Sequence, residues 1–325
     1  MLETYIAKFA KLRSDQSPAR WGALTKHRAP HKPLLLLAVL DLYAESRAQA
    51  NFIEASLGLS ELFTLYWARV VPPDQRGSIV LPFFHLQSDG FWHLLPKPGK
   101  ESYLAAVRQI RSLSELQDTA VGGCLDEDLH ALLHRQEPRD VLRRVLIETY
   151  FASEVQLALL NQSSVNQEAY QYSEALLTQA KGRLVQEGIL LLAEYQPAAR
   201  DQGFRRAIIG AYNHSCAFCG LKVLTPDGHT AVDAAHIIPW SRTHDDAVDN
   251  GISLCKLCHW GFDEGLLAAS ANFTVAVSGL VHAAYNVPVH LPRLADMPLT
   301  LPSERLFWPS QDTLKWHRQE VYRGR

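Results

Sequence analysis

Apolar positions at the start of the chain recur at helical spacing, which predicts a helix within residues 1–15. These apolar positions are Leu2, Tyr5, Ile6, Phe9 and Leu12. The polar, basic stretch over residues 14–29 predicts a loop. The run Leu34–Tyr43 then predicts a buried helix with Pro33 in its first turn, and Gly58–Trp67 predicts another helix.

Two aromatic-rich runs farther along favour strands. Ile79–Leu86 and Gly90–Leu95 are separated by Gln87–Gly90, which carries turn-forming residues. This pattern predicts a β-hairpin.

The second half of the N-terminal region is predicted to be helical over residues 125–160. The polar stretch Asn161–Val165 indicates a domain boundary, and Gln167–Leu192 predicts a helical connector. The expected organisation is an N-terminal domain over 1–160, a helical linker over 161–199 and a C-terminal domain over 200–325.

Length and composition are those of a globular protein with two domains. The chain has 325 residues, of which 47% are hydrophobic and 20% charged. No apolar run reaches the roughly 20 residues that a membrane-spanning helix needs, and the N-terminus lacks the apolar segment of a secretion signal. A cytoplasmic protein without a membrane partner is therefore expected. The net charge of −2 is no global signature of nucleic-acid binding, so any such binding rests on local patches.

Four of the five cysteines form two C-x-x-C pairs, Cys216/Cys219 and Cys255/Cys258. Two such pairs supply the four thiolates of a closed structural Zn²⁺ site. The less favoured alternatives are unpaired buried cysteines and a thioredoxin-like redox site, which needs one pair only. A substantial element must lie between the two pairs, because residues 220–254 separate them.

The segment between and after the cysteine pairs carries chemistry at its junctions. A strand-like run ends at His236, Asn250-Gly251 is a turn signal before the short strand Ile252–Leu254, and a helix is predicted from His259. The order is strand, long loop, strand, helix.

This constellation resembles the HNH, or ββα-metal, endonucleases. The resemblance is carried by D-x-A-H-I-x-P from Asp233, N-G-I-x-L-C from Asn250 and C-H-x-x-F-D-x-G from Cys258, and it extends over residues 204–267. It implies that His236 is the general base, that Asn250 holds the long loop, and that His259 binds a catalytic Mg²⁺ or Mn²⁺. A histidine that titrates near neutral pH suits proton transfer from water.

Other residues around these motifs are assigned less directly. Ala235 occupies the place where many HNH enzymes carry a metal-binding residue, so Asp233 is expected to reach the catalytic ion through an irregular strand. The resemblance implies that a backbone carbonyl of the long loop orients His236. Asp263 is interpreted either as a partner of His259 or as a solvated carboxylate. His244, Asp245 and Asp246 are expected to be loop surface.

The N-terminal region resembles the sulfur-binding domain of HNH restriction enzymes that cut phosphorothioate-modified DNA. The matching pieces are PHKPLLLLAVLDL at Pro30–Leu42, LPFFHLQSDGFWHL at Leu81–Leu94 and ETYFASE at Glu148–Glu154, within residues 5–155. The resemblance implies a shallow apolar pocket for the backbone sulfur beside a cation. His85 or Arg76 is the expected cation.

The residues that this second resemblance assigns to DNA form four groups. His31 and Lys32 are expected at a helix start near phosphate, Arg76-Gly77-Ser78 in a flexible loop, Phe84-His85 at the pocket edge, and Tyr150, Phe151 and Ala152 in the apolar wall. The alternative for the aromatic residues is a place in the core.

The expected fold class is α+β, with a mixed DNA-reading domain followed by a ββα-metal nuclease domain that carries the four-cysteine zinc site. The expected function is a type IV-like restriction endonuclease that cuts phosphorothioate-modified, double-stranded DNA, and a homodimer would let it cut both strands. One alternative is an HNH nuclease directed to a methylated base or to unmodified DNA. Another is a zinc-stabilised DNA-binding module without catalysis.

Overall fold

The computed structural model describes residues 1–182, 195–225, 229–283 and 290–324 and divides into two compact units. The N-terminal unit comprises Met1–Gln167 with Thr225–His229, and the C-terminal unit comprises Glu168–Leu224 with Thr230–Arg325. Each unit mixes helices with a short antiparallel strand pair or pairs, which confirms the α+β prediction. No described helix has the length and apolar composition to cross a bilayer.

The N-terminal unit is mainly helical. Its elements are α1 (Leu2–Phe9), α2 (His31–Ala44), α3 (Leu57–Val70), α4 (Val80–His85), β1 (Trp92–Pro96), α5 (Glu101–Ala106), α6 (Leu113–Thr119), β2 (Ala120–Leu125), α7 (Glu127–Leu133), α8 (Gln136–Tyr150) and the start of α9 (Ser153–Ala180). Short 3-10 turns cover Ala23–Thr25 and Leu86–Asp89.

Helix α2 lies at the centre of this unit. Its residues Pro33–Tyr43 are all buried, as expected for a helix that is apolar on every side. Helices α3, α4 and α8 pack against it. The first residues of α2, His31 and Lys32, reach the surface cleft described below.

The one carboxylate within the apolar run of α2 is fully compensated. Asp41 is completely buried and accepts hydrogen bonds from Arg143 at 2.7 Å, Tyr66 at 2.7 Å, Ser163 at 2.9 Å and Asn166 at 2.8 Å. Because a buried charge needs such partners, the network ties α2 to α3, α8 and α9.

The predicted hairpin over Ile79–Leu95 is wrong. Val80–His85 is helical, the 3-10 turn Leu86–Asp89 continues it, and Gly90 in the left-handed region (φ 73°) ends it. β1 pairs instead with the distant β2, with Trp92 opposite Leu125. Gly123 of β2 is required by close approach, since a Cβ there would lie 2.8 Å from the Trp92 ring.

The two units divide after Gln167, just beyond the predicted boundary stretch Asn161–Val165, and α9 runs continuously through this region. The polar residues of this stretch are in part buried, and they serve the Asp41 network: Gln162 donates to Asn166 at 2.8 Å. Helix α9 carries the predicted connector Gln167–Leu192 as far as Ala180. Residues 183–194, which belong to both the predicted connector and the predicted linker, lie outside the described residues.

The C-terminal unit contains the end of α9 and the elements of the predicted nuclease domain. These are α10 (Pro197–Ala211), β3 (Val232–His236), α11 (Trp240–Thr243), β4 (Gly251–Cys255), α12 (Lys256–Asp263), β5 (Leu267–Ala269), β6 (Val275–Val277), α13 (Gly279–Ala283) and α14 (Gln311–Glu320). The 3-10 turns are Val248–Asn250, Pro292–Leu294 and Arg305–Phe307. β3 pairs with β4 and β5 with β6, both antiparallel.

Candidate functional site

The strand pair β3–β4 and helix α12 form the predicted ββα arrangement. The pairing is unbroken from Val232 opposite Cys255 to His236 opposite Gly251. Helix α12 contacts both strands and begins at Lys256, before the predicted start at His259. Gly251 has extended backbone, so its conformation does not require glycine; instead, a Cβ there would lie 2.2 Å from the Ile208 side chain of α10.

Asn250 fastens the loop between the two strands. Its side-chain oxygen accepts from the Ile238 amide at 2.9 Å, and its Nδ2 donates to the carbonyls of Ile238 at 3.1 Å and Asp245 at 3.0 Å. The side chain is buried, so these bonds replace water. One residue therefore joins the beginning of the loop to its end, as the resemblance implies.

His236 lies at the end of β3 with one ring nitrogen engaged. Its Nε2 lies 2.8 Å from Asp246 Oδ1, and its ring stacks on Phe204 with centroids 3.9 Å apart. About a quarter of the side chain is exposed. The expectation of a backbone carbonyl as partner is wrong, because a loop carboxylate fills that place.

Asp246 was expected at the loop surface but is buried. Its Oδ2 accepts from Tyr172 and from Arg200, each at 2.6 Å, while Oδ1 faces His236. Burial alone would raise the pKa of Asp246, but the bonds from His236, Tyr172 and Arg200 hold that pKa below its usual value. The neighbouring Asp245 is exposed, and no local sequence signal distinguishes the two.

Asp233 does not join His236. The two residues are three apart in a regular strand, so their side chains point to opposite faces of it. Asp233 instead pairs with Arg205 at 2.9 Å and with Lys256. The irregular strand expected to bring Asp233 to the catalytic ion is absent from the fully paired stretch Val232–His236, which removes the basis for that assignment.

His259 lies on α12 with its side chain partly exposed. Its Nε2 is 3.6 Å from Asp263 Oδ2, one turn later on the same helix. Burial, aided by Glu264, raises the pKa of Asp263, and His259 acts in the opposite direction. The Asp263 carboxylate is the oxygen ligand that a hard divalent ion takes, and His259 offers a nitrogen ligand beside it; water and substrate phosphate usually complete the shell of such an ion.

The four paired cysteines converge on one point. Their sulfur atoms all lie within 4.8 Å of one another, and Cys219 and Cys255 Sγ are 3.7 Å apart. A tetrahedral ion with Zn–S bonds of 2.3 Å requires sulfur atoms about 3.8 Å apart. Donor type, number and spacing therefore fit the predicted structural zinc. Among the described residues this is the one group of three or more potential ligands gathered closely.

The N-terminal unit carries a surface cleft of about 480 Å³. Three of the residues expected to contact DNA line it: His31, Lys32 and His85. Its apolar lining comes from Trp21, Ala29, Leu81 and Pro82.

The basic side chains that were expected to contact DNA within the cleft carry no unpaired positive charge at neutral pH. Burial lowers the pKa of His31 to about 4, and its ring packs between Trp21 and Trp67. Burial, aided by the charge of Lys32, also lowers the pKa of His85. Lys32 is itself buried and paired with Asp89 at 2.6 Å, with a further bond to Ser88. At neutral pH these side chains present no uncompensated positive charge, contrary to the expectation.

Two arginines that the sequence analysis did not assign supply the charge. Arg13 and Arg20 line the cleft. The Arg13 guanidinium makes no ion pair with another described residue, and Arg20 lies 3.4 Å from Asp15 with most of its side chain exposed. Arg13 also borders a second groove, of about 430 Å³, which is lined by Lys8 and Lys11.

The remaining residues assigned to DNA lie outside the cleft. Arg76 is exposed, and Ser78 is half-buried with its hydroxyl accepting from the Val80 amide. Gly77 packs so closely that a Cβ would lie 2.4 Å from Trp67. Gly77 is therefore held against the core, whereas Arg76 before it stays exposed.

The expected aromatic wall is core. Phe84, Tyr150 and Phe151 are each at most 2% exposed. The Tyr150 hydroxyl donates to the Phe9 carbonyl at 2.9 Å and accepts from the Leu12 amide at 2.7 Å. Ala152 is half-buried and its amide donates to Leu24 at 3.0 Å. None of these aromatic rings is open to DNA.

Comparison with known proteins covers both units. Residues 3–168 match the model of the ScoMcrA-like, DNA sulfur-binding domain, and residues 216–268 match a model of the HNH endonuclease. A solved structure titled "Modification dependent TagI restriction endonuclease" is 21% identical over 36% of this chain and 37% of its own, with a TM-score of 0.28. The chain thus covers little more than a third of that enzyme. Curated proteins give no match.

Proposed function

The chain belongs to the family of the ScoMcrA-like DNA sulfur-binding domain, and on that premise we propose that it is a modification-dependent restriction endonuclease. Its N-terminal unit recognises phosphorothioate groups in double-stranded DNA. Its C-terminal unit hydrolyses phosphodiester bonds near the mark, in an HNH domain that zinc stabilises.

The observation that carries the nuclease proposal is His236 at the end of β3, held by a carboxylate and beside a loop that Asn250 fastens. In this arrangement His236 accepts a proton from water, which then attacks the phosphorus atom. Asn250 contributes by keeping the loop that carries Asp246 in place.

His259 is the residue that would hold a catalytic Mg²⁺ or Mn²⁺, and Asp263 is the nearest carboxylate. Bound there, the ion supplies charge neutralisation of the scissile phosphate and the leaving oxygen. Cys216, Cys219, Cys255 and Cys258 would hold the structural Zn²⁺, which ties the knuckle after α10 to the junction of β4 and α12.

The cleft of the N-terminal unit supports the choice of mark. A sulfur atom in place of a non-bridging oxygen is larger and less hydrated, so an apolar lining disfavours it less than oxygen. Trp21, Leu81 and the neutral His31 provide that lining. Arg13 and Arg20 provide the donors that the negative phosphorothioate and its flanking phosphates need.

The test uses matched DNA duplexes, with and without phosphorothioate, in Mg²⁺, Mn²⁺ or EDTA. We expect metal-dependent cutting of the modified duplex alone. Equal cutting of both duplexes would retain the nuclease and reject the sulfur reader, and cutting of a methylated duplex alone would assign a different mark. Double-strand breaks that depend on protein concentration would support a homodimer.

Replacement of the general base separates catalysis from binding. His236→Ala should abolish cutting and leave binding of the modified duplex unchanged, because the base contributes roughly 100- to 10,000-fold to such reactions. The control is His290→Ala, which removes an exposed histidine of the same unit. Cutting at the wild-type rate by His236→Ala would remove its role. An inactive wild type that still binds would favour the non-catalytic DNA-binding module.

A further inference from the structure

The contact between His236 and Asp246 also determines which ring nitrogen of His236 carries the proton. An ionised carboxylate has no proton to donate, so a neutral His236 can bond to Asp246 only with its proton on Nε2. The other ring nitrogen, Nδ1, is then the one with a free lone pair.

The neighbours of Asp246 keep its carboxylate ionised and fixed. Arg200 can only donate, and it occupies Oδ2 together with the Tyr172 hydroxyl, both at 2.6 Å. Oδ1 is thereby left to His236, at 2.8 Å. The carboxylate is buried at the end of the loop that Asn250 fastens, so its orientation is set from α9, α10 and the loop together.

We propose that Asp246 is the positioning residue of the general base: it holds His236 in the tautomer with the proton on Nε2 and so leaves Nδ1 to accept the proton of the attacking water. The inference rests on the proposed nuclease function. Asp246 touches neither water nor DNA in this role. It acts through His236, as the third member of an Asp–His–water relay.

A purely structural role would give a different result. If Asp246 only anchored the loop, its replacement would loosen the loop and lower stability while the His236 tautomer followed solvent. The tautomer is therefore the property to measure, together with the rate.

The decisive variant is Asp246→Asn, which keeps size and shape. Because Arg200 demands an acceptor, the amide oxygen should turn to the Oδ2 position and the amide NH₂ to His236. Nε2 must then accept, and the proton moves to Nδ1. We expect cutting of the modified duplex to fall at least about 100-fold, with DNA binding and zinc content unchanged.

The tautomer is read from long-range ¹H–¹⁵N spectra at a pH where the imidazole is neutral, with the His236 signal assigned by its absence in His236→Ala. We expect an Nε2 proton in the wild type and an Nδ1 proton in Asp246→Asn. Tyr172→Phe, which leaves the carboxylate and Arg200 in place, should keep the wild-type tautomer and cut faster than Asp246→Asn. Asp245→Asn, at the exposed neighbouring carboxylate, is the matched control and should change neither.

Two results would overturn the proposal: an Nδ1 proton on His236 in the wild type, or an Asp246→Asn variant that keeps both the tautomer and the rate. If the wild type cuts no DNA, the proposed nuclease function fails. In that case the comparison of the wild-type and Asp246→Asn tautomers tests only whether Asp246 sets the His236 tautomer, and not whether this contact serves catalysis.

Discussion

In the surface cleft of the N-terminal unit, the effect of burial on charge differs between histidine, lysine and arginine side chains. A buried imidazole loses its proton, and a buried ammonium needs a counter-ion, as Lys32 has in Asp89. A guanidinium keeps its charge in either setting. Arg13 and the largely exposed Arg20 are therefore the cations that the cleft offers to DNA, although Arg20 lies near Asp15, and the histidines of the cleft belong to the apolar lining.

Removal of both arginines tests this division of roles. Arg13→Ala/Arg20→Ala should weaken binding of the modified duplex by about 10- to 100-fold and lower the slope of log K against log salt by about 2. Fluorescence anisotropy at several salt concentrations measures both quantities. Arg108→Ala, at an exposed arginine outside the cleft, is the control, and Arg76→Ala should resemble it. A larger loss with Arg76→Ala would return that loop to the interface.

At the scale of elements, α14 is fastened to the nuclease helix α12 by a stacked pair. The His317 ring lies on Phe262 with centroids 3.6 Å apart, and its Nε2 is 3.1 Å from the Phe262 carbonyl. Burial lowers the pKa of His317 to about 4, with the Phe262 carbonyl acting against this and Arg318 adding to it. The histidine is thus neutral inside the fold.

This depressed pKa makes stability depend on pH. The unfolded chain takes up a proton below its usual pKa near 6.5, whereas the folded chain does so only near pH 4. The contribution of His317 is complete above about pH 6.5 and is lost as the pH falls from there through 4. About 1 kcal/mol of the loss falls between pH 7.5 and 5.5.

Urea unfolding at pH 7.5 and 5.5 measures whether the free energy of unfolding falls on acidification, as the lowered pKa of His317 predicts. We expect His317→Gln to be less stable than the wild type at pH 7.5 but to lose less stability on acidification, with His290→Gln as control. An equal loss in the wild type and His317→Gln would contradict the assignment to His317.

The sequence predicted some elements and missed others for physical reasons. The β3–β4–α12 arrangement was predicted because its parts follow one another in the chain and carry the motif residues His236, Asn250 and His259 at their junctions. The β1–β2 pair was missed because its partners are far apart in sequence and Gly122-Gly123 weakens the strand pattern. Asp246 was missed since burial, which separates it from Asp245, depends on α9 and α10.

At the scale of the whole molecule, each unit has its own hydrophobic core. One core runs from Tyr5 to Leu159 and the other from Tyr172 to Leu314. The second core includes three buried members of the zinc group, which is the cluster of Cys216, Cys219, Cys255 and Cys258. Cys124 lies in the N-terminal unit and does not belong to this group. Loss of zinc should therefore unfold one unit and spare the other.

Cysteine replacement tests this independence. Cys258→Ser should lose zinc and expose the C-terminal unit to limited proteolysis while the N-terminal unit still binds modified DNA, because structural zinc contributes folding energy directly. Cys124→Ser should keep zinc, folding and cutting. Collapse of both units in Cys258→Ser would show that their stabilities are not separate.

The zinc group and His236 lie at opposite ends of one strand pair. Cys255 is opposite Val232, and the far end of the ladder, His236 opposite Gly251, is roughly 13 Å away at about 3.3 Å per residue. The two metals of the proposed enzyme differ in how they would be held: four thiolates, three of them on buried cysteines, enclose the zinc, whereas the partly exposed His259 would hold the catalytic ion. They should therefore dissociate at different rates. A chelator that takes Mg²⁺ should stop cutting at once, and added Mg²⁺ should restart it. A thiophilic chelator should inactivate slowly, at the pace of unfolding, and added Mg²⁺ alone should restore nothing.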